Sequence, residues 1–197
     1  MSNLEAHILQ KLREGDGDAF TEVVETYQTP VYNLCYRMLG NPQEAEDAAQ
    51  ETFWRAYSNI KRYDDSRSFA TWLLSIAAHF CIDQQRKRRL PTFSMELIPD
   101  EIVPGSTPDP EKIMFRSEEE RLMRRVLSNL KPTDRAAIVL RYWYEMSEEE
   151  ISESLDLSVS AVKSRLFRAR RQLADEWKAE HPESANSERK CHESPAF

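Results

Sequence analysis

The chain has 197 residues, 40% of them hydrophobic and 31% charged, with a formal net charge of −7; this suits a globular chain long enough for one domain or two small ones. No apolar run approaches the roughly 20 residues of a membrane span, and the N-terminus "MSNLEAHILQKLREGDGDAF" has neither the apolar block nor the cleavage site of a signal peptide, so a cytoplasmic location is expected. The cysteines, Cys35, Cys81 and Cys191, are odd in number and far apart in sequence, which fits reduced thiols, and with no CxxC, HExxH or P-loop spacing neither a metal, a cofactor nor an enzymatic activity is expected.

Only four glycines occur, period-two β-branched runs are absent, and apolar residues recur at three- and four-residue steps almost throughout, so the chain reads as all-α. Asn41-Pro42-Gln43-Glu44 predicts a helix over 42–58, with a capping Asn, Pro at the first helical position and Glu44 placed to close a capping box. Its first turns carry Glu44, Glu46, Asp47 and Glu51 beside Gln50, Phe53 and Trp54. The helix dipole accounts for some of those acids. A basic protein partner accounts for an acidic surface with amide and aromatic neighbours.

Next comes "IKRYDDSRSF", a polar loop holding Tyr63, and then "FATWLLSIAAHFCIDQQRKRRL". The latter sets Phe69, Trp72, Leu73, Ile76 and Phe80 along one predicted helical face and ends in Arg86-Lys87-Arg88-Arg89. Rings beside a cationic track suit a single-stranded nucleic acid, whose bases stack while Lys and Arg follow the phosphates. Trp72 and Phe80 read better as core, and Tyr63 is open between the two roles. Five prolines between Pro91 and Pro110 predict a linker. They divide the chain into an N-terminal helical domain (1–90), the linker (91–110), a C-terminal helical domain (111–178) and a polar, Ser-rich tail (179–197) expected to be disordered.

Within the second domain, Ser147-Glu148-Glu149-Glu150 repeats the capping signature. A short helix to Leu155, a break at Asp156-Leu157-Ser158 and a longer helix from Val159 have the dimensions of a helix-turn-helix. Val162, Leu166, Ala169 and Leu173 form one apolar stripe on the longer helix. The opposite face then carries Ser160, Lys163, Ser164, Phe167, Arg168 and Arg171, small, polar and cationic groups that suit a major groove and its phosphates. A solvated basic face paired with the acidic helix "SEEEISE" is the plainer alternative. The acids Glu145, Glu148, Glu149, Glu150 and Glu153 are expected to lie outside the DNA face, so the overall charge does not conflict with local DNA binding.

Four blocks in order, "DAFTEVVETYQTPVYNLCYRML", "AEDAAQETFWRAY", "FATWLLSIAAHFCIDQQRKRR" and "LSVSAVKSRLFRARRQL", resemble the extracytoplasmic function (ECF) group of bacterial sigma factors, which join two helical domains, region 2 and region 4, by a variable linker. The resemblance implies that Glu46, Asp47, Gln50 and Glu51 dock on a coiled coil of the largest subunit of core RNA polymerase. It implies that Tyr63, His79 and the helix through Arg86, Lys87, Arg88 and Arg89 capture the melted minus-10 strand of promoter DNA, and that the helix from Val159 reads the minus-35 duplex. An anti-sigma factor is implied as a further partner. His79 stands where the family usually carries Asn in a "WL..IA.N...D..R" pattern, which bears on minus-10 base preference. Two other classes are a helix-turn-helix repressor with an N-terminal sensor domain, acting without polymerase, and a redox or metal protein using Cys35, Cys81 or Cys191-His192.

Overall fold

The computed structural model of the chain describes residues 6–89 and 121–180, and the regular structure among them is entirely helical. Helix α1 (Ala6–Glu14) ends where Gly15 takes a φ of 88°. Asp16 then opens α2 (Gly17–Leu39), its carboxylate accepting from the Asp18 and Ala19 amides. The far end of α2 is closed by Gly40, whose φ of 79° lets its amide donate to the Tyr36 carbonyl. Helix α3 (Pro42–Asn59) starts as its sequence predicts, with Asn41 accepting from the Glu44 amide at 3.0 Å and Pro42 in the first turn. The Glu44 carboxylate, expected to complete a capping box, is instead drawn to the Arg88 guanidinium, a stronger partner than a neutral amide. A 3-10 turn (Ile60–Arg62) and a polar loop lead to α4 (Phe69–Arg89).

Helices α2, α3 and α4 pack on one another around Val23, Val31, Leu34, Met38, Phe53, Leu73 and Leu74. The buried stripe of α4 differs from the one its large residues predict: Phe69, Leu73, Ala77, Ala78, Cys81 and Ile82 are buried, while Trp72, Ile76 and Phe80 are half-buried at its edge. Small side chains at 77, 78 and 81 let α2 and α3 approach closely, so fit rather than bulk selects the inward face. Cys35 and Cys81, distant in sequence, meet there as free thiols. The hydrogen bond between them, and then burial, pushes the Cys81 thiol far above its ordinary value; a protonated, enclosed thiol is chemically inert.

In the second half residues 121–129 form α5, followed by α6 (Pro132–Trp143), α7 (Glu148–Ser154) and α8 (Val159–Glu180). Ser147 and Glu150 close the expected capping box reciprocally, at 3.1 and 2.8 Å. The turn between α7 and α8 passes through Asp156, whose φ of 52° is tolerated because its short side chain suits the left-handed region. Ser158 then caps α8 by accepting from the Ala161 amide at 3.2 Å. Helix α8 continues to Glu180, past the expected domain boundary at 178. The linker 91–110, residues 111–120 and the tail from 181 onward lie outside the described residues.

The two helical units share one apolar core. Arg135 of α6 is buried and donates to the Met38 carbonyl in the last turn of α2, which Gln85 of α4 also reaches, placing a cation at the negative end of a helix dipole. Tyr144, at the end of α6, donates to the Pro30 carbonyl at 2.6 Å, and burial raises its phenol well above the ordinary value so that the donor proton is kept. The Arg37 guanidinium lies 5.2 Å from the centre of the Trp143 ring and that of Arg124 5.0 Å from Tyr36. No helix among the described residues is long and apolar enough to cross a membrane.

Candidate nucleic-acid interface

Helix α8 has the two faces its sequence predicts. Val162, Leu166 and Ala169 are buried and Leu173 is half-buried, while Ser160, Lys163, Ser164, Phe167, Arg168 and Arg171 are all exposed. Phe167, 63% exposed, is a large apolar side chain held in water, an arrangement that costs free energy unless a ligand covers it. The Ser164 hydroxyl donates to the Ser160 carbonyl at 2.9 Å; with its proton engaged, the exposed oxygen keeps both lone pairs to accept a further hydrogen bond.

The cations of α8 are not equivalent. Arg165 is turned inward to Asp134, at 2.6 Å, and Arg168 lies 3.9 Å from the same carboxylate oxygen. Asp134, in the first turn of α6 and 6% exposed, thus ties α6 to α8 beside the exposed face of α8. Sequence reasoning missed this residue, because nothing local marks a carboxylate whose partner lies on another helix. Lys163 stands 3.4 Å from Glu148, so Glu148 borders the face rather than lying outside it as expected. Arg171 makes no ion pair among the described residues.

On the first unit, Tyr63 is not an exposed loop ring. It is 6% exposed, its hydroxyl donates to the Arg67 carbonyl, and its ring meets Phe69 edge-on at 5.4 Å, with Trp72 at 5.1 Å and Arg13 at 5.9 Å. Burial, then the nearby Asp65, raises its phenol above the ordinary value. The ring still forms one wall of an open pocket of about 260 Å3, lined also by Leu9, Arg13, Asp65, Arg67 and Phe69. Arg13 braces that pocket, donating to both Asp65 carboxylate oxygens at 2.7 and 3.1 Å and to the Tyr63 carbonyl at 3.0 Å.

His79 sits two turns further along α4, with Nδ1 3.0 Å from the Ser75 carbonyl and Nε2 3.6 Å from Asp156 of the inter-helix turn. The family resemblance implies that Tyr63 and His79 reach the same minus-10 pocket; in the structure the two side chains face different neighbours. Of the terminal cations of α4, Arg86 lies 3.7 Å from Asp83, Lys87 is exposed and Arg88 is held by Glu44. The Arg89 side chain lies outside the described residues.

Helix α3 exposes Glu46, Asp47 and Gln50, while Glu51 is half-buried and paired with Arg55 at 2.7 Å. Trp54, beside them, is 64% exposed. Between α2 and α3 runs a groove of about 480 Å3 lined by Val24, Gln28, Tyr32, Glu46, Gln50 and Phe53. Acid and amide at its rim and apolar rings at its floor suit a polypeptide partner with basic and aliphatic side chains. Among the described residues no cluster of three His, Cys, Asp or Glu could hold a metal ion.

Comparison with known proteins defines the class first. Residues 23–90 match Sigma-70 region 2 and residues 120–173 match Sigma-70 region 4. The first match covers α3, α4 and most of α2, and the second covers the helix-turn-helix. The ECF RNA polymerase sigma factor SigW of Bacillus subtilis (strain 168) is 36% identical over 84% of this chain and 92% of its own length. The ECF RNA polymerase sigma factor SigE of Mycolicibacterium smegmatis is 34% identical over 86% of this chain and 65% of its own. In three dimensions the chain resembles CnrH, solved in complex with the cytosolic domain of CnrY, with a TM-score of 0.65 and 25% identity over 87% of this chain and 96% of that one.

The chain belongs to the ECF family of RNA polymerase sigma factors. It is a promoter-directing sigma factor, a DNA-recognition protein of transcription initiation, and its N-terminal unit is region 2 rather than a sensor domain.

Proposed function

We propose a division of labour in which α8 reads the minus-35 duplex, α4 with its preceding loop captures the minus-10 strand, and α3 holds core polymerase through Glu46, Asp47, Gln50 and Glu51. The duplex reading is carried by the one-sided exposure of α8, whose six outward residues stand opposite a buried Val162, Leu166 and Ala169. Ser160 and Ser164, near the helix start, allow close approach to base edges, and Lys163, Arg168 and Arg171 lie along the phosphates. On α4, an extruded base enters the pocket walled by Tyr63, and His79 with Arg86, Lys87, Arg88 and Arg89 follows the strand. Unstacking one base costs a few kcal/mol, an amount that pocket contacts offset without nucleotide hydrolysis.

Core polymerase, through a coiled coil of its largest subunit, promoter DNA and an anti-sigma factor are the proposed partners, and the cytoplasm is the compartment in which they meet. CnrH, with which this fold is shared, is seen bound to the cytosolic domain of CnrY, which supports a protein partner on the same framework. Salt titrations on matched and scrambled minus-35 duplexes test the α8 assignment. Arg171→Ala is expected to weaken binding about equally on all sequences and to flatten the salt dependence by roughly one counterion. Ser164→Ala is expected to change which sequence is preferred. A sequence-selective loss in Arg171→Ala would contradict the assignment.

A further inference from the structure

Helix α1 lies outside the stretch that matches region 2, residues 23–90, yet it builds part of the open pocket beside Tyr63. Ile8, Leu9 and Leu12 are buried and hold the helix against the 3-10 turn. That contact sets Arg13 at the edge of the loop leading into α4. From there its guanidinium makes a fork: Nη2 donates to Asp65 Oδ1 at 2.7 Å and to the Tyr63 carbonyl at 3.0 Å, and Nη1 donates to Asp65 Oδ2 at 3.1 Å. A planar guanidinium matches a carboxylate in this way and an ammonium does not.

The two acids of this loop are used differently. Asp64 is taken up locally, accepting from the Ser66 amide at 2.9 Å and from the Ser66 hydroxyl at 2.7 Å, which closes the turn. Asp65 lines the pocket instead, and its side chain stays 61% exposed while paired with Arg13. The Tyr63 hydroxyl and carbonyl are both engaged, and Arg67, the other cation of the pocket, lies 3.4 Å from Glu153. A carboxylate has about four lone-pair sites, of which Arg13 takes one on each oxygen. Asp65 therefore keeps acceptors for a ligand. The pairing also cancels a charge that would repel the phosphates of an approaching strand.

We propose that Arg13 is a positioning residue for minus-10 capture, which holds Asp65 as an acceptor in the pocket so that the captured base is one with an exocyclic amine and thymine is refused. The inference rests on the assignment of α4 and its loop to the minus-10 strand. Cytosine, adenine and guanine each bring an amine that donates to the carboxylate. Thymine has none, and its carbonyl oxygens set acceptor against acceptor. Without the fork of Arg13 the loop is tied only by its own turn and the Tyr63 hydroxyl, and Asp65 is no longer aimed. Arg13 acts through Asp65 and does not itself follow the strand.

The test uses the full chain assembled with core polymerase and labelled single-stranded minus-10 oligonucleotides from a promoter that this holoenzyme transcribes, with affinity read by fluorescence anisotropy. The four DNA bases and uracil are exchanged at each minus-10 position. One position is expected to disfavour thymine and uracil against cytosine by about tenfold, the worth of one hydrogen bond to a charged group. Uracil lacks both the amine and the methyl group, so it separates a missing donor from a methyl clash. Arg13→Gln and Asp65→Asn are each expected to erase the difference with helicity and core-polymerase pull-down retained, and Arg13→Lys, which keeps the charge without the fork, to recover little of it. The salt dependence is expected to stay as in the wild type. Equal weakening of all oligonucleotides by Arg13→Gln, with a salt slope smaller by about 0.7, would make Arg13 a phosphate contact and overturn the proposal. So would discrimination retained in either Arg13→Gln or Asp65→Asn, the absence of any position that refuses thymine and uracil, or a preference for uracil, which would give the reading to Arg67. Failure of the minus-10 assignment itself shows separately, as strand affinity unchanged by Arg86→Ala/Lys87→Ala.

Discussion

Tyr63 and His79 show how a residue's surroundings decide what its chemistry can do. A Tyr in "IKRYDDSRSF" is surrounded in sequence by polar groups, yet Phe69 and Trp72 fold back over its ring. Tyr63→Ala therefore confounds pocket loss with a core truncation costing about 3–5 kcal/mol. Tyr63→Phe removes only the bond to the Arg67 carbonyl, at about 1 kcal/mol, and keeps the ring, so it is expected to keep both core-polymerase binding and permanganate-detected melting. Lost melting in that variant would move the role of Tyr63 from its ring to its hydroxyl. For His79→Asn, an amide with two donors and one acceptor replaces a ring with one of each, so the preferred base at a single minus-10 position is expected to shift among four otherwise identical templates. Asp134 makes a third case. Asp134→Asn weakens the charge-assisted bond to Arg165 and is expected to lower stability by roughly 1–3 kcal/mol, while releasing Arg168 and altering the affinity for minus-35 duplex. Unfolding in urea together with duplex titration checks both, and unchanged values in the two measurements would remove Asp134 from the support of α8.

Helix α3 illustrates what an element's sequence encodes about its surface. Asn41 and Pro42 explain where it begins, and alanines at 45, 48, 49 and 56 explain which side it buries. What remains outward is Glu46, Asp47 and Gln50, with Trp54 one turn on. Asp47→Lys/Glu51→Lys is expected to abolish pull-down of core polymerase with the fold intact. Of the two substitutions only Glu51→Lys loses an ion pair, the exposed intrahelical one with Arg55, worth about 0.3–0.5 kcal/mol. Undiminished pull-down by the folded double variant would take this surface out of the polymerase contact. The capping box of α7 is the complementary case, because its two hydrogen bonds are local and were legible from Ser147 and Glu150 alone.

At the scale of the whole molecule, two modest DNA contacts gain strength by being joined. When both contacts are made on one promoter, the second is expected to be effectively intramolecular and strengthened by a high effective concentration. The free chain is expected to discriminate matched from scrambled promoter duplexes poorly, and the same chain with core polymerase by orders of magnitude better. Gel shifts with and without core polymerase measure the difference; equal discrimination in both would point to a polymerase-independent regulator.

Helix boundaries, the turn before α8 and that helix's two faces were legible in the sequence because each rests on interactions within a few residues: caps at Asn41 and Ser147, the break at Asp156, the stripe from Val162 to Ala169. Periodicity reports the inward face well in α8, where the stripe from Val162 to Ala169 stands opposite a mostly polar face, and poorly in α4, where apolar residues lie on several sides and small Ala77, Ala78 and Cys81 outcompete Trp72 and Phe80 for the interior. Tertiary structure alone decided which distant residues meet: Cys35 with Cys81, Asp134 with Arg165, Arg135 with Met38, and Glu153 with Arg67. Local hydrogen bonds and hydrophobic spacing repeat along the chain and can be read there, whereas a partner brought in by chain folding leaves no periodic trace in either of the two segments that meet.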